Sequence, residues 1–154
     1  MTTDIRPYVS TDAEAVIGVW HRAGRAVYTF LPTWQAFTLE QAHRVFHDII
    51  VPSCDLWVGT CDERVVAYLA LQASYIDRLY VDPAEQRKGW GSRLLAHTKV
   101  LQPRGLELHT HQDNQGARAL YEHQGFVAVR FGLSPAPESA PDVEYHWRPQ
   151  DSLG

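Results

Sequence analysis

The sequence lacks a long apolar run, an excess of basic charge and the cysteine content of a disulfide framework, and each absence narrows the reading. Its longest nearly unbroken hydrophobic stretch, Val65 to Leu71, falls far short of the ~20 residues a membrane helix needs. The N-terminus, MTTDIRPY, has neither the basic start nor the apolar stretch of a signal peptide. A cytoplasmic location and no membrane partner are therefore expected. Fourteen Lys+Arg against eighteen Asp+Glu leave a net charge of −4, and no basic run exceeds Arg87-Lys88. Nucleic-acid binders carry a basic footprint, so nucleic acid is not expected as a partner. The two cysteines, Cys54 and Cys61, bracket the strand-like segment DLWVGT. Such an extended segment spans roughly 23 Å, whereas a disulfide needs Cα atoms within about 7 Å. Both read as free thiols, and neither has a basic neighbour in sequence that would activate it.

What is present is one domain's worth of ordinary globular sequence. The 154 residues are 45% hydrophobic and 21% charged, which excludes a disordered chain, a coiled coil or a collagen-like repeat. A strand, Asp4 to Tyr8, precedes a helix opened by a capping box, Thr11 with Glu14. Tyr28 to Phe37 reads as an aromatic loop around Pro32. A second capping box, Thr38 with Gln41, opens a helix with Leu39, Ala42, Val45, Phe46, Ile49 and Ile50 inward, stopped by Pro52. Strands Leu56–Thr60 and Val65–Leu71 form a hairpin, and a weakly alternating third strand, Tyr75–Val81, ends at Asp82-Pro83. A helix with Leu94, Leu95, Thr98 and Leu101 follows, then the strand Leu106–His111 and a helix from Asn114 to about Gln124, with Gly125 as a left-handed cap. A strand Phe126–Phe131, a Pro/Ser-rich loop Ser134–Asp142 and a strand Val143–Trp147 close the chain. The β–α–β–α–β centre implies parallel crossovers, and the flanking hairpins imply antiparallel strands. The expected fold class is α/β, a single domain over residues 1–154 with a mixed central sheet.

The segment IDRLYVDPAEQRKGWGSRLL, Ile76 to Leu95, carries the chemistry. A strand ends, a loop with two spaced glycines follows, and an amphipathic helix begins. Glycines let backbone N–H groups turn inward, and a helix start adds free amides and the positive end of its dipole. With Arg87 and Lys88, this is a place for a phosphate or pyrophosphate. It is not a Walker loop, because no Gly-x-x-x-x-Gly-Lys-Ser/Thr exists here. Nor is it a dinucleotide fingerprint, because Leu94 stands where the third glycine belongs. By itself the Gly-x-Gly reads as a surface turn.

Its context says more. Gln86-Arg87-Lys88-Gly89-Trp90-Gly91 resembles the Gln/Arg-x-x-Gly-x-Gly/Ala signature of the GNAT (GCN5-related) N-acetyltransferase superfamily, following an apolar triplet, Leu79-Tyr80-Val81. Downstream, Asn114, Ala117, Leu120, Tyr121, Gly125 and Phe126 spell N-x-x-A-x-x-L-Y-x-x-x-G-F, similar to the second half of that superfamily's acetyl-CoA-binding core. The resemblance implies a sheet of about six to seven strands, splayed at the cofactor site, with about four helices. It implies acetyl-CoA as cosubstrate, with coenzyme A as product. Amides around Arg87, Lys88, Gly89, Trp90, Gly91 and Ser92, beside Gln86, would cradle the pyrophosphate. The backbone at Leu79, Tyr80 and Val81 would pair with the pantetheine arm, and Val81 N–H would polarise the thioester carbonyl. Asn114 would contact pantetheine or cap its helix near Ala117, and Tyr121 would protonate the departing thiolate. Dimerisation is common in that superfamily, so a homodimer is among the partners it allows.

Acetyl transfer to an amine also needs a base near neutral pKa. Alternation on LELHTH puts Glu107, His109 and His111 on one face. His109 stands where ribosomal-protein N-terminal acetyltransferases of the superfamily hold a glutamate, and an unperturbed imidazole suits a base. Asp77 is the rival, acting through water. In the superfamily, the loop between the first two helices walls the acceptor cleft. Tyr28, Phe30 and Trp34 there, with Glu107, would suit a small amine or a peptide terminus with an apolar neighbour. No metal is expected. Arg44 replaces the glutamate a metalloprotease helix would carry after His43 in His43-x-x-x-His47, and Glu107-x-His109-x-His111 lacks a remaining ligand set. The function implied is an N-acetyltransferase moving acetyl from acetyl-CoA to a primary amine of a small molecule or peptide by direct attack. The alternative is a non-catalytic acyl-CoA sensor of the same fold.

Overall fold

Alternating apolar residues and tight hairpins build the first half of one sheet, and two crossover helices build the second. The computed structural model describes residues 1–136 and 138–149. Strands β1 (Thr3–Pro7), β2 (Asp55–Cys61), β3 (Arg64–Gln72) and β4 (Tyr75–Val81) pair antiparallel in that order. The β2–β3 turn places Asp62 and Glu63 at φ 50° and 69°. Two successive left-handed residues match the right-handed twist of the flanking strands. Strand β3 is covered on both faces, with Val66 through Ala70 fully buried.

Helix α1 (Ala13–Val27) begins later than the Thr11/Glu14 box would place it, after a 3-10 turn Ser10–Asp12. Asp12 displaces the expected cap. Its carboxylate accepts the Val9 N–H at 2.9 Å and two bonds from Arg6 at 2.8 and 2.9 Å, and a bidentate charge-assisted pair outcompetes a neutral threonine cap. The aromatic loop contains one helical turn, α2 (Pro32–Gln35), packed through Trp34 onto Trp20, Tyr28 and Phe37. The Thr38/Gln41 box forms as expected, with reciprocal bonds of 2.9 and 3.1 Å opening α3 (Leu39–Val45).

That helix continues through a π turn, Phe46–Ile50, into a single turn, α4 (Val51–Ser53). The wider turn rotates the following side chains, so Ile49 is 58% exposed instead of inward; Leu39, at the helix start, is 47% exposed. Pro52 lies in the last turn of this continuous helix and donates no helical bond, and the helix ends one residue later, at Ser53.

The second half comprises α5 (Trp90–Leu101), β5 (Leu106–His111), α6 (Gln115–His123), β6 (Val127–Leu133) and β7 (Pro141–Trp147). The sheet order is β1-β2-β3-β4-β5-β7-β6, so β7 inserts antiparallel between the crossover-linked β5 and β6. The sheet is mixed, as the sequence implied, with seven strands where about six to seven were expected. Of the Ser134–Asp142 loop, Pro137 lies outside the described residues, as do residues 150–154 of the expected domain. One core lies between the sheet and α5/α6, around Leu69, Leu94, Leu95, Leu108 and Tyr145. The other lies beneath α1 and α3, around Ile17, Trp20, Phe46 and Tyr68. Among the described residues no helix is long and apolar enough to cross a membrane.

Two irregularities position the site. Leu71 pairs with Ile76 and Ala70 with Arg78, so Asp77 is an extra, bulged residue in β4. The bulge explains the weak alternation of Tyr75–Val81. Parallel strands β4 and β5 meet in register only at Tyr75 and Glu107, and beyond that point they part.

Candidate active site

The parting of β4 and β5 opens a cleft of about 620 Å³. Leu79, Tyr80 and Val81 of β4 form its floor, with a backbone edge that β5 no longer pairs. The β4–α5 loop and the start of α5 wall one side, α6 and the end of β5 another, and Ala23, Val27 and Tyr28 close it from α1.

Charge pairs hold the β4–α5 loop. Asp82 accepts the Ala84 N–H at 3.1 Å and the Arg22 guanidinium at 2.6 Å. Burial works to raise its carboxyl pKa, but those bonds outweigh it and hold the group below its ordinary value. Glu85 takes Arg64 and Lys88, each at 3.0 Å. Lys88, expected at the phosphate, therefore points its ammonium at Glu85 and does not line the cleft. Arg87 and Gly89 both lie at positive φ, 64° and 85°, a conformation that concentrates successive amides on a concave surface. The α5 ladder starts with Arg93 N–H to Gly89 O at 3.1 Å, leaving the amides of Trp90, Gly91 and Ser92 without helical partners. The donor set and the open space beside Gly89 fit a pyrophosphate. Gly91 has a different purpose: a Cβ there would lie 2.7 Å from Leu120 Cδ2, so glycine lets α5 approach α6. Trp90 packs its ring onto Gly59, where a Cβ would come within 2.6 Å.

Tyrosines dominate the centre. Tyr121 is buried against Phe126 and Tyr145, at 5.8 and 6.0 Å between ring centroids. Burial, then the proximity of Tyr80 and Tyr75, pushes its hydroxyl pKa well above the ordinary phenol value. Tyr28 is pushed up the same way, by burial first and then by Tyr80 and Tyr121. Asn114 lines the cleft and caps α6, its Oδ1 accepting the Ala117 N–H at 3.1 Å.

Of the expected face Glu107, His109 and His111, only His109 lines the cleft. Its Nδ1 lies 2.8 Å from the Tyr75 hydroxyl and its Nε2 3.6 Å from Glu144. Burial, foremost, pushes Tyr75 up to about 12. Glu107 is engaged outside the cleft by Ser74 and Arg148. His111 packs edge-on against both the Tyr28 and Phe30 rings, with Nε2 3.3 Å from Glu138. Asp77 reaches the cleft from its bulge, 3.5 Å from Arg78 Nε. Among the expected acceptor residues, Tyr28 lines the cleft, whereas Phe30 packs behind it and Trp34 packs over Gly24 of α1. Lining residues that the sequence reading did not assign to the site include Arg78, Thr110 and Gly116, and Leu120 was read only as part of the Asn114–Phe126 motif. Gly116 and Leu120 share one helical face at i, i+4 spacing, a signal that was available. Arg78 had none, because the bulge sets its direction. His43 and His47 stack at 6.2 Å, and among the described residues no group of three or more His, Cys, Asp or Glu is placed to hold a metal.

A splayed α/β sheet with free amides on one strand edge and an anion-binding helix start beside it defines a coenzyme-binding transferase fold. The family model for the acetyltransferase (GNAT) domain matches residues 52–128, from α4 into β6, and the chain belongs to this family. It is an acetyltransferase that uses acetyl-CoA, and the binding-only alternative is not favoured. Over 127 residues it is 29% identical to the peptidyl-lysine N-acetyltransferase YjaB of Salmonella typhimurium, covering 82% of this chain and 84% of that protein. In fold it is similar to the apo form of YjaB from Escherichia coli, with TM-score 0.80, 21% identity and coverage of 96% of this chain and 98% of that one. It is similar also to the PaiA N-acetyltransferase from Thermoplasma acidophilum solved in complex with coenzyme A, with TM-score 0.74, 18% identity and coverage of 97% and 100%.

Proposed function

We propose that this chain, as a single catalytic unit, acetylates a primary amine by direct attack within a ternary complex in the β4–β5 cleft. The observation that carries the reading is the unpaired β4 edge at Leu79–Val81 lying in the same cleft as the buried Tyr121 hydroxyl. The amides from Arg87 to Ser92 bind the pyrophosphate, and the β4 edge pairs with the pantetheine amides as an added strand. Val81 N–H polarises the thioester carbonyl, where negative charge develops. The amine nitrogen bonds to the carbonyl carbon as the carbon–sulfur bond breaks. Tyr121, held protonated by burial, gives its proton to the departing thiolate. His109 takes the ammonium proton before attack, with Tyr75 fixing the ring through Nδ1, and the second proton, shed by the nitrogen as the amide forms, passes through solvent to the Tyr121 phenolate; Asp77 is the rival base. That the YjaB relatives are peptidyl-lysine N-acetyltransferases by name supports a lysine side chain in a polypeptide as the first acceptor to try.

The test is acetyl-CoA with lysine peptides and small amines, read as free thiol released. His109→Ala is expected to lower kcat/KM by about 100-fold and to remove the rising limb of its pH profile. An unchanged profile in that variant, with the limb lost in Asp77→Asn, transfers the base role to Asp77.

A further inference from the structure

Arg78 lines the cleft with a buried, unpartnered donor nitrogen. It follows the Asp77 bulge and registers with Ala70, which puts it on the α1 side of the sheet, with Cζ 5.0 Å from the centre of the Trp20 ring. Its side chain is only 26% exposed. Its Nε is buried without a hydrogen-bond partner, and the nearest carboxylate oxygen, on Asp77, stands 3.5 Å away, too far for a good bond. Trp20 Nε1 and the Tyr68 hydroxyl are also buried and unpartnered. Three of the five such atoms among the described residues thus lie in one neighbourhood, and all three are donors.

The Tyr80 hydroxyl is the one nearby oxygen that both Trp20 and Arg78 approach, so these donors are short of acceptors, which costs more when one of them carries a full charge. A planar guanidinium matches a carboxylate through two parallel bonds. The other charges around the cleft do not answer this need. Glu85 is engaged by Arg64 and Lys88, Glu144 by His146 and Arg130, and Arg87 belongs to the loop at the donor end. Arg78 stands three residues, about 10 Å along the strand, from Val81. That is about the reach of a lysine side chain between a carboxylate and its amine.

Resting on the acetyl-transfer reading above, we propose that Arg78 is an acceptor-binding residue that receives a carboxylate, so that the preferred acceptors are amines that also carry one. The carboxylate has two sources: the acceptor's own, in a free amino acid, or an acidic side chain beside a lysine in a peptide.

Matched acceptors separate them. Nα-acetyl-lysine is compared with its carboxamide, and a peptide with glutamate beside lysine is compared with its glutamine counterpart. The wild-type protein is expected to favour the carboxylate member of at least one pair by about 10- to 100-fold in kcat/KM, chiefly through KM. Preference in the first pair alone names the free amino acid, and in the second alone the acidic peptide. In Arg78→Gln the ratio is expected to fall toward unity, and Arg78→Lys, which keeps the charge but loses the fork, to retain part of it. A purely structural arginine would lower both members of a pair alike. If Arg78→Gln does not fold, a reduced ratio in Arg78→Lys gives the same reading. No preference in either pair, no acetylation of any member, or a preference that survives both substitutions overturns the assignment. Acetyl-CoA-dependent thermal stabilisation is measured alongside. Its presence without a preference sinks only the role of Arg78, whereas its absence sinks the donor site as well.

Discussion

Replacing Tyr121 by phenylalanine is expected to lower kcat by about 100- to 1,000-fold, within the range of a positioned general acid. The KM for acetyl-CoA should change little, because the substitution removes one oxygen and keeps the ring. That ring packs against Phe126 and Tyr145, and its carbonyl accepts the Phe126 N–H at 3.0 Å where α6 ends. A volume-conserving change leaves this packing in place, so the unfolding temperature should hold while turnover collapses. The sign of the pKa shift matters. Burial favours the neutral phenol, so Tyr121 keeps its proton throughout the neutral range and imposes no falling limb there. Turnover that survives the substitution would make Tyr121 a packing residue and leave the thiolate to be protonated by water.

Gly116→Trp is expected to abolish acetyl-CoA binding without harming the fold. Gly116 lines the cleft from the first turn of α6, and a Cβ built on it meets no atom within 4 Å. A large side chain there enters the space assigned to the donor. Glycine is a poor helix residue, by about 1 kcal/mol relative to alanine, so the free variant should melt no lower than the wild type. At a concentration ~100 times its Kd, acetyl-CoA should stabilise the wild type by about 2.7 kcal/mol, a shift of a few degrees. The variant should show no shift. A full shift in the variant would place the donor outside this cleft.

The elements around the donor site were legible because several local signals agree there. The strand Leu106–His111 was read to the residue, and the helix begun at Asn114 is capped by that side chain. Gly125 takes the left-handed conformation its position demanded. Illegible features were those set by contacts that no local pattern announces. The Arg6–Asp12 pair overrides the Thr11 box, and the π turn that exposes Ile49 has no periodicity of its own. The Asp77 bulge is visible only against β3, and it decides that Arg78 faces α1. Strand alternation placed Glu107, His109 and His111 together correctly, but it could not say how far along β5 the cleft extends. The Lys88 ammonium turns to Glu85, three residues earlier, while its backbone amide stays in the loop.

The most direct measurement is amide hydrogen exchange with and without acetyl-CoA, followed residue by residue. New protection is expected at Leu79 to Val81, where the sheet edge gains a partner, and at Gly89 to Ser92, where free amides meet the pyrophosphate. ATP at the same concentration should leave the Leu79–Val81 edge unprotected. Protection by acetyl-CoA that appeared elsewhere and left both segments exchanging freely would contradict the assignment of the cleft.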